Sequence, residues 1–200
     1  MTITYELEDK LYVNITNACP NNCDFCIRNN GDGVGDAENL WLEREPTKKE
    51  IVADILSRDL SEYSELVFCG YGEPTCRLKD IQYVCHEIRK KSSIKIRINT
   101  NGLSNLIHNR HTEKEFKNLV DSMSISLNAS NAQEYDRICH SKFGSNAFYA
   151  VLEFAEDVKK YVPDVTLTIV DNNTPKEEIE ACREKCNNIG VNFRVRKYIK

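Results

Sequence analysis

LYVNIT at residues 11–16, followed by NACPNNCDFC at 17–26, carries the clearest evidence about the fold. The first part alternates apolar and polar residues, which is the period of a β-strand with one buried face. The second part holds Cys19, Cys23 and Cys26 beside a proline and asparagines that favour a turn over a helix. We therefore expect a strand that ends in a loop able to bring three thiols together.

The alternation recurs along the chain, with helical patterns between the alternating segments. Thr47, Thr112 and Thr174 each precede a glutamate by three residues, which predicts a capping box at three helix starts. Strands that alternate with helices are typical of parallel βαβ units. The predicted strands cover residues 11–16, 65–69, 94–99, 122–128, 164–170 and 191–196, and the longest predicted helix covers 146–161.

The length of 200 residues limits the architecture. A complete eight-unit barrel takes about 250 residues, or about 31 for each unit, so this chain has room for about six units. We predict an α/β fold, a partial (β/α)6 TIM-like barrel with parallel strands, as a single domain over residues 1–200. An open doubly wound sheet built from the same elements is the alternative.

The polar positions of the strands should line the concave side, because the helices bury the apolar positions. A polar cavity or a merely solvated face would both give this pattern. Lys95, Arg97, Arg194 and Arg196 fall on this face. They favour an anionic small substrate or a cofactor carboxylate, with ion pairs to acidic side chains as the alternative.

Composition bears on the partner, the location and the role of the cysteines. There are 27 basic and 31 acidic residues, a net charge of −4, which disfavours nucleic acid as a partner. No apolar run reaches the roughly 18 residues of a membrane helix, and the start lacks a signal-peptide pattern, so we expect a cytoplasmic protein. The nine cysteines are an odd number, which favours thiols or metal ligands over disulfides.

Three clustered thiolates fit two kinds of metal site. A four-iron cluster held by three cysteines leaves one iron without a protein ligand, and that iron is open to chemistry. A structural zinc site needs a fourth ligand, for which Cys69 or Cys76 would serve. The second reading describes a metal-binding module without catalysis.

Cys19, Cys23, Phe25 and Cys26 match the pattern Cys-x3-Cys-x-aromatic-Cys. In this the sequence resembles the radical S-adenosylmethionine (radical SAM) enzymes, which that motif defines. The resemblance implies that the three cysteines hold a 4Fe-4S cluster and that S-adenosylmethionine binds its fourth iron. Phe25 then belongs to the cofactor site.

CGYGEPT at 69–75 resembles the family's Gly-Gly-Glu-Pro segment, with Tyr71 inserted. The resemblance implies that this segment faces the methionyl ammonium and that polar residues on later strands bind the carboxylate or ribose. It also places the adenine near Ile169 and residues 196–198. The residues carried over to the cofactor site are Gly70, Gly72, Glu73, Thr100, Ser126 and Asn128, to which the concave-face argument adds Arg97.

One subgroup is especially similar, through residues 11–17, 25–28, 41–47 and 68–75. These segments look like the TatD-associated radical SAM proteins, which suggests a functional link to a TatD-type hydrolase. The family resemblance implies an oxygen-sensitive enzyme that takes an electron from a flavodoxin- or ferredoxin-like donor. S-adenosylmethionine is then cleaved to a 5′-deoxyadenosyl radical, which abstracts hydrogen from a substrate. We expect a small, polar or anionic substrate, and an accessory partner of the hydrolase is the alternative.

Other features are assigned more plainly. The cluster loop covers 17–30, and the long segment at 31–46 is a candidate lid in which Trp41 is expected to anchor the loop. Cys182 and Cys186 lie on the apolar stripe of a predicted helix, which indicates core packing. Cys69, Cys85 and Cys139 receive the same interpretation, whereas Cys76 follows the Gly-Glu-Pro turn and is a candidate for a functional thiol.

Overall fold

A single seven-stranded sheet organises the molecule, here a computed structural model that describes residues 1–198. Its strands neighbour one another in chain order; the first pair is antiparallel and the others are parallel. Strands that follow one another in chain order form a barrel wall. In a doubly wound sheet the spatial order of the strands reverses near the middle, so the doubly wound alternative is wrong. The strands are β1 (Thr4–Leu7), β2 (Lys10–Val13), β3 (Glu65–Phe68), β4 (Lys95–Thr100), β5 (Ser122–Ser126), β6 (Asp164–Asp171) and β7 (Asn192–Lys197).

Helices connect the parallel strands and cover one face of the sheet. Within residues 1–198, six parallel strands are joined by five helical crossovers and preceded by the antiparallel β1, so the (β/α)6 count is not confirmed. Residues 199 and 200, the end of the predicted single domain, lie outside the described residues. The helices are α1 (Lys48–Leu56), α2 (Leu78–Arg89), α3 (Ser104–His108), α4 (Ala132–Cys139), α5 (Asn146–Val158) and α6 (Lys176–Ile189). Within residues 1–198, no helix is both long and apolar enough to cross a membrane.

The alternation predicted from the sequence separates the two faces of the sheet. Ile96 and Ile98 of β4 are fully buried beneath the helices, as is Phe154 of α5, which packs against that face. Arg97 and Asn99, between and beside those isoleucines, belong to the other, concave face and are only partly buried. The predicted division into an apolar and a polar face is confirmed.

The helix starts agree with the sequence only in part. Thr47 forms the predicted capping box with Glu50 at the start of α1. Thr112 instead precedes a short 3-10 turn and bonds to the Ser104 hydroxyl, and Thr174 lies before an α6 whose cap is Pro175. Both of these predicted capping boxes are wrong, because tertiary contacts and the proline determine the local backbone.

Candidate functional site

A cavity of about 250 Å³ opens where the parallel strands end. The carboxyl ends of parallel strands meet at one edge of a barrel wall, which is where barrel active sites form. The structure brings all but one of the predicted cofactor and metal residues into its lining. These are Cys19, Cys23, Phe25, Cys26, Gly70, Gly72, Glu73, Thr100, Ser126 and Asn128.

The cluster loop is held in place by the C-terminal end of α4. The backbone amides of Asn22 and Asp24 donate to the carbonyls of Cys139 and Ile138, each at 3.0 Å. The side-chain amide of Asn21 in the loop also donates to the hydroxyl of Tyr135 in α4, at 3.2 Å. These bonds satisfy the last carbonyls of the helix and present the loop to the cavity.

The three loop thiols are partly buried and carry raised pKa values. Burial, aided by the Glu73 carboxylate, raises the pKa of Cys19 to about 12. A hydrogen bond with Cys139 and burial raise the pKa of Cys23, and burial raises that of Cys26. The guanidinium of Arg28 acts in the opposite direction on all three. Soft thiophilic metal is the partner that converts such thiols to thiolates, so the donor set fits an iron–sulfur cluster.

The spread of the thiols distinguishes between a cluster and a single ion. Zn–S bonds of about 2.3 Å place the sulfurs of a tetrahedral zinc site less than about 4 Å apart. Among residues 1–198, the set of three or more potential ligands that lie within 4.8 Å of one another is His111, Glu153 and Asp157 on the surface, not the loop cysteines. The three loop thiols therefore do not stand at the spacing of a single zinc site.

The Gly-Tyr-Gly-Glu-Pro turn packs against β2 and the cluster loop. A Cβ at residue 70 would lie 2.0 Å from Oδ1 of Asn14, and one at residue 72 would lie 2.3 Å from the carbonyl oxygen of Thr16. Both positions therefore require glycine for close packing within the chain itself. The backbone amide of Glu73 also donates to the Ala18 carbonyl at 2.8 Å. The turn and the cluster loop form one unit.

Glu73 connects this turn to the end of β4. Its buried carboxylate accepts hydrogen bonds from the Thr75 amide (3.0 Å) and hydroxyl (2.7 Å), the Thr100 hydroxyl (2.7 Å) and the Asn101 amide (2.7 Å). Burial raises the pKa of Glu73, and these bonds oppose the rise. Both Glu73 and Thr100 thus have a structural role at the cavity wall besides the cofactor contact predicted for them.

The inserted Tyr71 contacts the segment 31–46. Its hydroxyl donates to the Gly31 carbonyl at 2.7 Å, and its ring meets Trp41 edge-on at 5.0 Å. Leu40 is almost fully buried, and its carbonyl accepts from Asn14 at 2.7 Å, whereas Trp41 is 39% exposed. Leu40 therefore anchors the loop by burial, and Trp41, although partly exposed, also holds it through its contact with Tyr71.

Several expectations fall elsewhere. Arg97, predicted to bind the cofactor, is not among the cavity-lining residues and pairs with Glu65 at 3.4 Å. Ile169 packs in the core, and its neighbour Val170 lines the cavity instead, together with the expected residues 196–198. Cys182 and Cys186 are buried in the core, as predicted.

The sequence reasoning missed part of the cavity wall. Tyr5 of β1 lines the cavity and stacks near Tyr12, with ring centroids 5.1 Å apart. Asn99 also lines the cavity, from the polar face of β4 that the alternation already indicated. Cys139 is buried as expected, but its carbonyl also accepts a hydrogen bond from the cluster loop and its thiol raises the pKa of Cys23. The alternation of residues 3–7 could have indicated β1.

Together these features define a barrel-wall protein with three clustered cysteines beside a cavity at the carboxyl ends of its strands. The sequence matches the family described as the Radical SAM superfamily over residues 13–186. The chain belongs to this superfamily, whose members use S-adenosylmethionine and an iron–sulfur cluster. No curated protein sequence matches the chain.

Solved structures agree on the fold. A radical SAM methyltransferase from Sphaerobacter thermophilus is 15% identical over 97% of this chain and 57% of its own, with a TM-score of 0.69. TYW1 with a lysine–pyruvate adduct is 15% identical over 96% of this chain and 65% of its own, with a TM-score of 0.68. SuiB from Streptococcus suis, bound to S-adenosylmethionine, is 16% identical over 96% and 41%, with a TM-score of 0.65. The chain thus spans less than two thirds of each of these three chains.

Proposed function

We propose that this chain binds a 4Fe-4S cluster on Cys19, Cys23 and Cys26 and cleaves S-adenosylmethionine reductively to act on a small, polar or anionic substrate. The observation that carries the proposal is the convergence of the motif cysteines and the Gly-Tyr-Gly-Glu-Pro turn on one cavity at the carboxyl ends of the strands. When bound, cluster and S-adenosylmethionine supply one-electron cleavage of a carbon–sulfur bond and a 5′-deoxyadenosyl radical that takes hydrogen from the substrate.

Two buried amides support a ligand in this cavity. Oδ1 of Asn99 and Oδ1 of Asn128 are buried and accept no hydrogen bond from any group in residues 1–198. Both residues line the cavity. A buried polar atom without a partner costs about 1–3 kcal/mol, which a ligand that donates to it would recover. We assign these oxygens as acceptors for the ammonium or hydroxyl groups of S-adenosylmethionine.

Other residues shape the site. Arg28 donates to the Asn21 carbonyl and the Asn22 side chain, which braces the cluster loop and keeps a positive charge near the thiolates. The Glu73 carboxylate holds the glycine turn against β4. Tyr5 and Tyr12 cover the cavity with aromatic surface and help to exclude water.

The subgroup and the partners form part of the same proposal. The resemblance through residues 41–47 and 68–75 supports a TatD-associated radical SAM protein, with a functional link to a TatD-type hydrolase. The cluster needs a one-electron donor, for which a flavodoxin or ferredoxin is the chemical class. We place the reaction in the cytoplasm, where such donors are available.

Replacement of Cys23 by alanine tests the proposal. We expect the anaerobically reconstituted wild type to carry about four irons per chain and to form 5′-deoxyadenosine with dithionite, and the C23A variant to lose both. Cys182→Ala is the matched control, because Cys182 is a buried cysteine in the core.

Three results would contradict it: one zinc per chain in the wild type, 5′-deoxyadenosine from C23A at the wild-type rate, or an iron cluster that forms no 5′-deoxyadenosine. The last result would indicate an accessory partner of a hydrolase rather than an enzyme.

A further inference from the structure

Three arginines gather on the concave face beside the cavity. Arg97 extends from β4, and Arg194 and Arg196 extend from β7. The charges of Arg97 and Arg196 both act on Arg194, on Tyr12 and, at the cavity wall, on the Cys69 thiol. Arg196 itself lines the cavity, so the group extends the site deeper along the same face.

The arginines are poorly neutralised by the chain. Among residues 1–198, Glu65 is the carboxylate that pairs with this group, through Arg97 at 3.4 Å. Arg194 donates to the neutral Ser124 hydroxyl at 3.0 Å. Three guanidinium groups against one carboxylate leave two positive charges uncompensated at this place.

One of these donors is buried without a partner. Nε of Arg97 makes no hydrogen bond within the described part of the chain, although the side chain is only 14% exposed. Burial, together with repulsion from Arg97 and Arg196, lowers the pKa of Arg194. An unsatisfied buried donor beside like charges costs free energy, and a bound anion would satisfy the donor and offset the charges.

We propose that Arg97, Arg194 and Arg196 bind an oxyanion group of the substrate that carries about two negative charges, either a phosphate or a pair of carboxylates. Guanidinium groups match such oxygens in geometry and charge. The group begins at the cavity wall with Arg196 and continues along the concave face through Arg194 and Arg97, whose partners are Ser124 and Glu65. That the anion belongs to the substrate rests on the proposed function. That the three arginines bind an anion does not.

Anion binding to the reconstituted chain tests the proposal. We expect isothermal titration at constant ionic strength to detect inorganic phosphate or succinate, and acetate to bind much more weakly. Phosphate without succinate would identify a phosphorylated substrate, and succinate without phosphate a dicarboxylate. Arg194→Gln is the main variant because Arg194 is more exposed than Arg97, so its replacement disturbs the fold less. We expect the affinity of this variant for the bound anion to fall at least about tenfold. Arg196→Gln provides a second variant, and Arg110→Gln, an exposed arginine paired with Glu115, is the charge-matched control.

The readouts separate the two proposals. Equal binding of acetate, an equal loss in the Arg110→Gln control, or no binding to the wild type would overturn the anion site. Loss of substrate-free 5′-deoxyadenosine formation in Arg194→Gln would also overturn it, because the arginines would then serve the cofactor. A wild type that binds phosphate but forms no 5′-deoxyadenosine would refute the proposed function and leave the anion site standing.

Discussion

The two faces of strand β4 show how the molecule divides stability from chemistry. Ile96 and Ile98 are completely buried under the helices, and each contributes to one continuous apolar core. Arg97 and Asn99, one residue away along the same backbone, carry buried polar atoms that find no partner within residues 1–198. Burial of the helix-covered face stabilises the folded chain. The concave face retains unsatisfied polar groups that a ligand can satisfy.

Ile98→Ala and Asn99→Ala give the largest contrast between the faces. We expect Ile98→Ala to lower the unfolding free energy by about 2–5 kcal/mol, because it opens a cavity in a packed core. Asn99→Ala should change it by less than about 1 kcal/mol, since the substitution removes an acceptor that is already unpaired. Urea denaturation of the two variants measures both values.

Asn99→Ala should still weaken S-adenosylmethionine binding in equilibrium dialysis of the reconstituted chain. If the asparagine variant loses as much stability as the isoleucine variant, or binds S-adenosylmethionine as tightly as the wild type, the division between the faces is wrong.

Glu73→Gln tests the exception, a concave-face residue with a structural role. The glutamine can keep an acceptor toward Thr75 and Thr100, but its amide nitrogen would face the Asn101 N–H, which is also a donor. We expect a loss of about 1–3 kcal/mol in unfolding free energy. Glu62→Gln, at an exposed glutamate, should leave denaturation unchanged; equal stability of both variants would remove the structural role assigned to Glu73.

Thr47→Ala should give the smallest of these effects, about 1 kcal/mol, because it deletes the capping box at the start of α1. Thr174→Ala is the matched control. Its hydroxyl contacts the Val170 carbonyl at 3.2 Å and caps no helix, so we expect a loss below about 0.5 kcal/mol. Thermal melts of both variants measure the difference, and an equal shift would contradict the assignment of the caps.

The sequence predicted the parts of the fold that local patterns encode. Alternation along residues 94–99 identified both the strand and its two faces, and Gly190 ended α6 in the left-handed conformation, as a C-terminal glycine does. The short antiparallel β1 was missed although residues 3–7 alternate, because an alternation over five residues is a weak signal by itself. Thr112 matched the capping pattern but bonds to Ser104, since tertiary contacts override a local signal.

The site was predictable where a dense motif marks it and unpredictable where distant segments meet. Three cysteines and an aromatic within eight residues indicated the metal loop directly. The hydrogen bond from the side-chain amide of Asn21 to the Tyr135 hydroxyl, by contrast, joins residues 114 positions apart, and no pattern in either segment announces it. The role of each predicted cofactor residue stays a prediction.

Tyr71 connects the glycine turn to the segment 31–46. The residue that interrupts the glycine turn is also the one that bonds to Gly31 and packs against Trp41. If the stretch 31–46 swings away, it gives up that hydrogen bond and bares a tyrosine ring that is now 3% exposed. Opening of the segment 31–46 would therefore change the surroundings of the glycine turn as well, because Tyr71 belongs to that turn and contacts both Gly31 and Trp41.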